Sequence, residues 1–463
     1  MKRIRIRTKA SRNMDLLHGP LFMKLIMFAL PLAMSSILQQ LSVSVNVAVV
    51  GRFVGSQALA AVGSNVPVVN LLVNLFVGVS LGANAVISYH IGKNRSERIE
   101  QAVGTVALAS VISGLVLMVL GIGISRPLLM LINTPDSVLD MAVSYLRIVF
   151  LGIPFYLIFD FGAAILRSMG DTRRPLYILL LSGLVNVMLS LFLVAICRMG
   201  VEGVAIATSV SNGLSAAFMV FLLMHEKEPF RLKISNMRIH WKELRPVLKI
   251  GVPAGLQGVV FSFSNVVVQS AINSFGYGAV AGSAATLNFE TYSYFFIAAF
   301  NGAAITFISQ NYGAGKLSRV NRIYWMCMGL AALTCAMCNW MFVLNERFFL
   351  SFFTSDSHVI YYGSIRMHHV VALQFIAASY EVSAAAMRGM GKSMTPTVIT
   401  IFGTCVLRLA WVFLVLPHCN DFRHLMMVYP LSWVLTGIMM LVLYRIKWKK
   451  VTALGEGYSA ASL

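Results

Sequence analysis

Long apolar stretches alternate with short polar segments along the whole chain. Each stretch holds about 20 or more residues, which is the length that a helix needs to cross a bilayer. We count twelve stretches, beginning near Leu21, Ala58, Ala102, Val138, Leu176, Val201, Val247, Ala279, Ile323, Val359, Thr397 and His424. The pattern predicts an all-α polytopic membrane protein with twelve transmembrane helices.

The polar segments alternate in charge, and this alternation explains a formal net charge of +20 in a chain that is 58% hydrophobic. Most Lys and Arg residues fall in both tails and in every second segment. The intervening segments contain only Arg52, Arg126, Arg198, Arg347 and Arg423. By the positive-inside rule, both termini are cytoplasmic and the chain is a multi-pass protein of the cytoplasmic (inner) membrane. The expected macromolecular surroundings are therefore the lipid bilayer and not nucleic acid.

One motif occurs twice. The stretch from Asp160 to Pro175, DFGAAILRSMGDTRRP, returns 221 residues later as EVSAAAMRGMGKSMTP. Pro31 and Pro253 extend the match at a spacing of 222. Because each copy holds six crossings, both copies have the same topology, and an axis along the membrane normal relates them. The sequence predicts two pseudo-symmetric six-helix lobes with a cavity between them.

The longest polar interval, Glu226 to Arg245, falls between the two copies and separates crossing six from crossing seven. We take it as the core of an inter-lobe linker. The predicted organisation is a cytoplasmic N-terminal tail (1–20), an N-lobe (21–225), a cytoplasmic linker (226–246), a C-lobe (247–445) and a cytoplasmic C-terminal tail (446–463).

The second half of the repeated motif is typical of a turn between helices. Gly170 and Gly391 fit the left-handed residue that follows a helix. Asp171 and Ser393 can cap the helix that comes next. We therefore expect a structural turn here, with a contact that gates transport as the alternative.

Three acidic residues, Asp160, Glu290 and Glu381, lie well inside apolar stretches. A charged group there costs roughly 2.5–3.5 kcal/mol on insertion scales, so each is a candidate for substrate or coupling-ion binding. The alternative is a structural ion pair. Arg408, near the middle of crossing eleven, is the base available for it, with Glu381 as its partner and Glu290 as a competitor.

A buried carboxylate can couple two fluxes. A low dielectric disfavours its charged form, so the group can hold a proton and release it when water arrives. It can also neutralise a cationic substrate, which then competes with the proton. Nearby aromatic rings can stack on a flat cation; they are Tyr156, Phe159, Phe289, Tyr292, Tyr294, Phe295 and Tyr380.

Pro31 and Pro253 each remove a backbone hydrogen bond within a crossing. Each proline is either a hinge that bends between two transport states or a static kink.

Six motifs carry a resemblance to the multidrug and toxic compound extrusion (MATE) family over nearly the whole chain. They are GPLFMKLIMFALPLAMSSILQQ from Gly19, VGRFVGSQALAAVG from Val50, AAILRSMGDTRRP from Ala163, MGVEGVAIATSVS from Met199, ISQNYGAGKLSRVNR from Ile308 and AAMRGMGKSMTP from Ala385. The resemblance implies the two-lobe fold of the MOP superfamily. It also implies multidrug efflux of cationic, often aromatic small molecules by alternating access, in antiport with inward H+ or Na+. No cofactor and no catalysed chemistry are expected, and we expect a monomer.

The family often carries an N-lobe cation site with an Asp on crossing one, Asn-x-x-x-Asp on crossing five and a Thr on crossing six. The matching residues here are Asn46, Asn186, Ser190 and Thr208. Both acids are therefore missing, and four neutral oxygen donors hold Na+ weakly and carry no proton. Any Na+ near Asn46, Asn186 and Thr208 is doubtful on this ground, and no other metal site is expected. Coupling then rests on Asp160 or on the C-lobe set of Glu290, Glu381 and Arg408.

Three other functions compete with the antiporter. A flippase for a lipid-linked saccharide belongs to the same superfamily, but it is disfavoured by the count of twelve crossings and by a single Arg deep in a crossing. A membrane-embedded enzyme needs a catalytic constellation at one depth, whereas the nine His fall mostly at loops and helix ends. A gated channel is compatible with the repeat and the buried acids, but no filter-like sequence supports it.

Overall fold

The computed structural model describes residues 14–132, 134–419 and 421–453, and within them it contains helices and no strand. Twelve helices are long and apolar enough to cross a membrane, as the sequence predicted. We number them Leu21–Phe53 (α1), Ser56–Gly92 (α2), Ser96–Leu131 (α3), Asp136–Ser168 (α4), Arg173–Ile196 (α5), Gly200–Met224 (α6), Trp241–Asn273 (α7), Tyr277–Gly313 (α8), Leu317–Leu344 (α9), Ser357–Gly389 (α10), Met394–His418 (α11) and Phe422–Ala453 (α12). A short helix, Glu346–Ser351, lies between α9 and α10.

The helices begin up to six residues before the predicted apolar stretches, because their first turns are polar. The largest differences occur at α3, α7 and α9. As a result, α7 starts inside the interval predicted as the linker, and α12 continues to Ala453 inside the interval predicted as the C-terminal tail. Residues 1–13 and 454–463 of the predicted tails lie outside the described residues.

Three helices contain irregular turns. The last turn of α5, Phe192–Ile196, is a π-helix, and α11 contains π segments at Ile401–Val406 and Trp411–Val415. In α10, a 3₁₀ segment at Val371–Ala377 precedes Glu381 by one turn. Departures of this kind are often found next to functional residues, because they re-aim the side chains that follow.

The packing within the two halves follows the repeat. In the N-lobe, α4 packs against α2, α3 and α6, while α1 and α6 pack against α5. In the C-lobe, α10 packs against α8, α9 and α12. Helices α4 and α10 are the most buried of the twelve. Each lobe is thus built around the helix that carries Asp160 or Glu381.

The repeated turn has the predicted backbone at both copies. Gly170 and Gly391 have φ of +88° and +79°, a conformation that glycine adopts without strain. Asp171 Oδ1 accepts hydrogen bonds from the backbone N–H groups of Arg173 and Arg174 at the start of α5. The prediction that Ser393 caps the next helix is wrong. The Ser393 side chain makes no cap hydrogen bond, and its Oγ is buried without a partner among the described residues.

The two lobes meet along a seam of glycines between α2 and α7. A Cβ added to Gly78 would lie 2.2 Å from Gly255 N, and one added to Gly82 would lie 2.3 Å from Val247 O. Small residues of this kind let helix backbones touch. The seam lies toward the end of the bundle that carries the start of α1, the end of α12 and the α2–α3 and α8–α9 turns. We call it the terminal end.

Two further contacts between the lobes lie in the same half of the bundle. Phe28 of α1 packs edge to face against Phe307 of α8, with ring centroids 5.3 Å apart. Asn84 Nδ2 of α2 donates a hydrogen bond of 2.9 Å to Thr306 Oγ1 of α8. The lobes are therefore docked against each other toward the terminal end.

Candidate functional site

Glu381 lies on α10 in the interior of the C-lobe and is 7% exposed. Its Oε1 accepts a hydrogen bond from the Tyr294 hydroxyl at 3.3 Å, and its Oε2 accepts one from Asn301 Nδ2 at 2.8 Å. Both donors come from α8 and are uncharged. The carboxylate is therefore positioned by neutral groups and forms no ion pair of 4 Å or less with any described cation.

The predicted pair between Glu381 and Arg408 is wrong. Arg408 is 1% exposed and donates instead to Ser432 Oγ at 3.3 Å and to Asn265 Oδ1 at 3.2 Å. Its guanidinium also lies over the rings of Tyr429 and Phe261, at 4.6 and 5.0 Å from their centroids. Cation–π contacts and neutral acceptors thus take the place of the carboxylate. Sequence proximity of α10 and α11 did not bring the two charges together.

Glu290 has a different arginine as its partner. Arg366 of α10, which is 3% exposed, forms a two-pronged pair with it, Nε to Oε1 at 2.5 Å and Nη2 to Oε2 at 3.0 Å. Gln374 donates to the Glu290 backbone carbonyl at 3.0 Å. Glu290 is therefore not the competing partner of Arg408 that the sequence suggested. A bidentate pair with both charges out of water is typical of a structural ion pair.

Buried arginines are more numerous than the single one expected. Arg366, Arg388 and Arg408 are all at most 4% exposed. Arg388 attracts the charge of Glu381, but its Nη2 donates to Gln257 Oε1 of α7 at 2.6 Å. The count of one deep Arg, which the sequence offered against a flippase, is therefore wrong.

Asp160 occupies the place in the N-lobe that Glu381 occupies in the C-lobe. Its Oδ1 lies 3.4 Å from Arg167 Nη2, and its Oδ2 is buried with no hydrogen-bond partner among the described residues. Ser80 of α2 donates to the Asp160 backbone carbonyl at 3.4 Å, as Asn301 of α8 approaches the Glu381 carbonyl at 3.5 Å. The repeat thus reproduces the position of the acid and the polar contact to its backbone carbonyl, but not the groups around the carboxylate.

The four residues that match the family's N-lobe cation site do come together. Asn46 Nδ2 donates to Thr208 Oγ1 at 3.2 Å, Ser190 Oγ donates to Asn46 Oδ1 at 2.9 Å, and Asn186 Nδ2 reaches Thr208 Oγ1 at 3.4 Å. Every member is neutral, and these hydrogen bonds use most of the available oxygens. The Asn186 Oδ1 atom alone among them is buried without a partner in the described part of the chain. The cluster is suited to holding α1, α5 and α6 together.

Pro31 and Pro253 lie inside α1 and α7, and both helices continue through them. Ser35 donates to the Pro31 carbonyl at 2.8 Å. The structure therefore accommodates both prolines without ending a helix, and their role as hinges stays a prediction.

A charged clasp between the lobes escaped the sequence analysis. Glu243 of α7 is 1% exposed and accepts hydrogen bonds from His90 Nε2 at 2.7 Å and from Arg98 Nη1 at 2.5 Å. His90 lies in the last turn of α2 and Arg98 in the first turn of α3, so both donors belong to the other lobe. No pattern in the sequence marks this contact, because Glu243 lies in a polar interval where side chains are exposed by default.

Arg366 and Asn301 also escaped the sequence analysis. Arg366 was detectable, since it lies seven residues beyond the predicted start of crossing ten near Val359. Asn301 has no charge to mark it within the apolar stretch of α8. Tyr294 was noted only as an aromatic ring, whereas its hydroxyl is what contacts Glu381.

Comparisons with known proteins agree with this architecture. The MatE family model matches residues 31–192 and 253–414, two copies at the same spacing as Pro31 and Pro253. The probable multidrug resistance protein YoeA of Bacillus subtilis is 26% identical over 435 residues, which cover 92% of this chain and 93% of that protein. The probable multidrug resistance protein NorM of Thermotoga maritima is 24% identical, covering 85% of this chain and 86% of that protein.

A solved structure shares the fold. The outward-facing conformation of a multidrug resistance MATE family transporter of the MOP superfamily superimposes with a TM-score of 0.89 at 18% identity, covering 96% of this chain and all of that chain. The two lobes, the doubled family match and the near full-length relatives point the same way. The chain belongs to the MatE family and is a membrane transporter, not an enzyme.

Proposed function

We propose that the protein is a secondary active antiporter that exports organic cations in exchange for inward H+ or Na+. The observation that carries this proposal is Glu381, a buried carboxylate held by the neutral donors Tyr294 and Asn301. With no direct ion pair, it is available to a proton or to a cationic substrate in turn. Glu290 is less suited to the task because Arg366 already neutralises it.

Alternating access follows from the two docked lobes. The basic loops favour a cytoplasmic position for the terminal end, and so for both termini, in the inner membrane. The glycine seam and the clasp at Glu243 then close the cytoplasmic side. Transport requires these contacts to separate, with Pro31 and Pro253 as bending points.

The substrate class rests on the relatives and on the surroundings of Glu381. Relatives over most of the chain are described as probable multidrug resistance proteins, which favours small-molecule substrates. Tyr294 lies beside the carboxylate, is 37% exposed and provides a ring on which an aromatic cation can stack. A monomer with two lobes suffices for this mechanism.

A second candidate, a flippase for a lipid-linked saccharide, gains support from Arg408. This guanidinium is buried without a carboxylate partner among the described residues, and a phosphate is a natural counter-ion for such a group. The antiporter remains the better supported function, because Arg408 is already held by Asn265, Ser432 and two rings.

Transport in liposomes tests the proposal. The purified protein is reconstituted, and uptake of a fluorescent organic cation is followed while H+ and Na+ gradients are imposed separately. We expect accumulation driven by one of the two gradients, abolished when that gradient is collapsed. Flux that ignores both gradients, at channel-like rates, would contradict the antiporter, and so would movement of a lipid-linked saccharide without cation transport.

Two variants make the assay specific for the site. Glu381→Gln is expected to lose gradient-driven accumulation while inserting and folding like the wild type, since the amide keeps the size of the side chain. Glu97→Gln is the control, because Glu97 is an exposed acid of α3 whose side chain accepts a hydrogen bond from Gln101 and from no other residue that the structure describes. Normal coupled transport in Glu381→Gln would remove this carboxylate from the mechanism.

A further inference from the structure

A cavity of about 590 Å³ lies between the lobes at the terminal end. The end of α2 and the start of α3 supply its N-lobe wall. The start of α7 and the turn after α10, at Gly389 and Gly391, supply its C-lobe wall. A cavity of this size falls within the range of roughly 300–1,000 Å³ that is usual for small-molecule sites.

The lining of this cavity is strongly cationic. Its cations are Arg95, Arg98, Lys242, Arg245 and Lys249, and its one carboxylate is Glu243. The Glu243 charge is already matched, because the clasp with His90 and Arg98 uses both of its oxygens. The side chains of the other four cations form no hydrogen bond or ion pair with any residue that the structure describes. Four like charges therefore face one space without an anion from the protein.

The repeat provides an internal comparison for this wall. Arg95 and Arg98 are equivalent to Lys316 and Arg319 in the α8–α9 turn, 221 residues later. Lys316 Nζ donates to the Leu17 carbonyl at 2.9 Å, and Arg319 donates to the carbonyls of Gly19 and His18 at 3.0 and 3.2 Å. The segment before α1 thus presents carbonyl oxygens to both C-lobe cations.

The matching segment before α7 does not do the same for the N-lobe cations. Its Arg238 carbonyl accepts a hydrogen bond from Thr105 Oγ1 at 3.1 Å, and its His240 backbone N–H donates to the same hydroxyl. Arg98 uses Glu243, and Arg95 keeps no protein acceptor within the described residues. In the C-lobe, the fold therefore supplies acceptor oxygens to both turn cations. In the N-lobe, the Arg95 side chain receives none from the described residues, so an acceptor can come from a bound ligand.

We propose that this cavity binds a phosphate-bearing anion, either the headgroup of an anionic phospholipid or a soluble phosphate compound. A phosphate offers several charged oxygens to guanidinium and ammonium groups at once, which suits a ring of separate cations better than a single carboxylate does. Basic pockets between membrane helices on the positively charged side are suited to lipid headgroups. Trp241, exposed at the start of α7, lines the same cavity.

Because both lobes line the cavity, a bound anion is expected to change the balance between docked and separated lobes. Cations from α2–α3 and from α7 face it together only while the lobes are docked at the terminal end. A ligand that binds one arrangement better shifts the population toward it. The anion is therefore expected to stabilise the docked arrangement.

Binding to the full-length protein tests the site in two arms. In detergent, inorganic pyrophosphate is titrated by calorimetry at constant ionic strength against sodium chloride. In nanodiscs, the thermal unfolding midpoint is compared between phosphatidylcholine alone and phosphatidylcholine with phosphatidylglycerol. We expect saturable binding in the first arm, a raised midpoint in the second, or both. Pyrophosphate binding alone identifies a soluble ligand, and the lipid effect alone identifies a headgroup.

Paired variants assign the effect to the cavity. Arg95→Gln with Arg245→Gln removes two exposed cations from the lining and is expected to weaken binding at least about tenfold, as the loss of charge-assisted hydrogen bonds implies. Arg322→Gln with Arg445→Gln removes two exposed cations that do not line the cavity and should bind like the wild type. An equal loss in both double variants, or no binding in either arm, overturns the proposal. Neither readout requires transport, so the result is independent of the proposed antiport.

Discussion

The glycine seam between α2 and α7 leads to a quantitative prediction. In Gly78→Ala, the new Cβ would lie 2.2 Å from Gly255 N, 2.4 Å from Gly255 Cα and 2.7 Å from Gly251 O. All three atoms are backbone, so no side chain can rotate away. The helices must part by about 1.2 Å at this point to restore the 3.4 Å of an ordinary contact.

The energetic effect follows from the cost of overpacking, roughly 1–3 kcal/mol. If the docked arrangement alone bears that cost, its population relative to the separated arrangement falls by about 5- to 150-fold. The matched control is Gly63→Ala in the same helix, where a Cβ meets no atom within 4 Å. This control keeps the change in helix propensity and removes the clash.

Spin-label distances across the terminal end measure the effect. Labels at Ser96→Cys and Ser318→Cys report on opposite lobes, since these exposed residues lie in the first turns of α3 and α9. The exposed Cys197 and Cys419 are first replaced by serine. In Gly78→Ala we expect the distance distribution to move to longer values, and in Gly63→Ala we expect that of the parent protein. Coinciding distributions in all three proteins would refute the inference that backbone contact at Gly78 holds the lobes together.

Two further predictions concern the polar interior. Glu290→Gln leaves Arg366 buried without its carboxylate, so we expect the free energy of unfolding to fall by about 3–5 kcal/mol. The thermal midpoint in detergent should then drop well below that of Glu381→Gln. Equal midpoints in the two variants would contradict a structural pair. Asn46→Ala removes the centre of a neutral cluster, so ion-driven accumulation in liposomes should keep its choice of H+ or Na+; a changed choice would show that the cluster binds the coupling ion.

The twofold repeat shows which structural features can be predicted from sequence spacing. A spacing of 221 paired Asp160 with Glu381, and the structure gives the two acids matching neighbours, Ser80 and Asn301. The same spacing correctly predicted the turns at Gly170 and Gly391, because a left-handed backbone strongly favours glycine. It failed at Ser393, where the repeat keeps the turn and loses the capping hydrogen bond. Spacing therefore transfers backbone geometry more reliably than side-chain contacts.

The charge partners show where sequence reasoning stops. Glu381, Glu290 and Arg408 were all identified as buried, because any charge within an apolar stretch is visible in the sequence. Their partners were not, since side chains on different helices meet according to helix rotation and depth. A helix turns 100° per residue, so a small difference in register decides which side chains face each other. For this reason Glu290 pairs with Arg366 and not with Arg408.

The sequence by itself determined the number of crossings, the duplication and the family resemblance, because hydropathy and repeat spacing are local properties that a bilayer constrains tightly. It also located the acids that a membrane makes costly. The tertiary structure alone decided which donors surround Glu381, which half of the bundle brings the lobes together and how the cations near α7 enclose a cavity. Those features arise from contacts between residues far apart in the chain, and no pattern along it records how two helices are rotated toward each other.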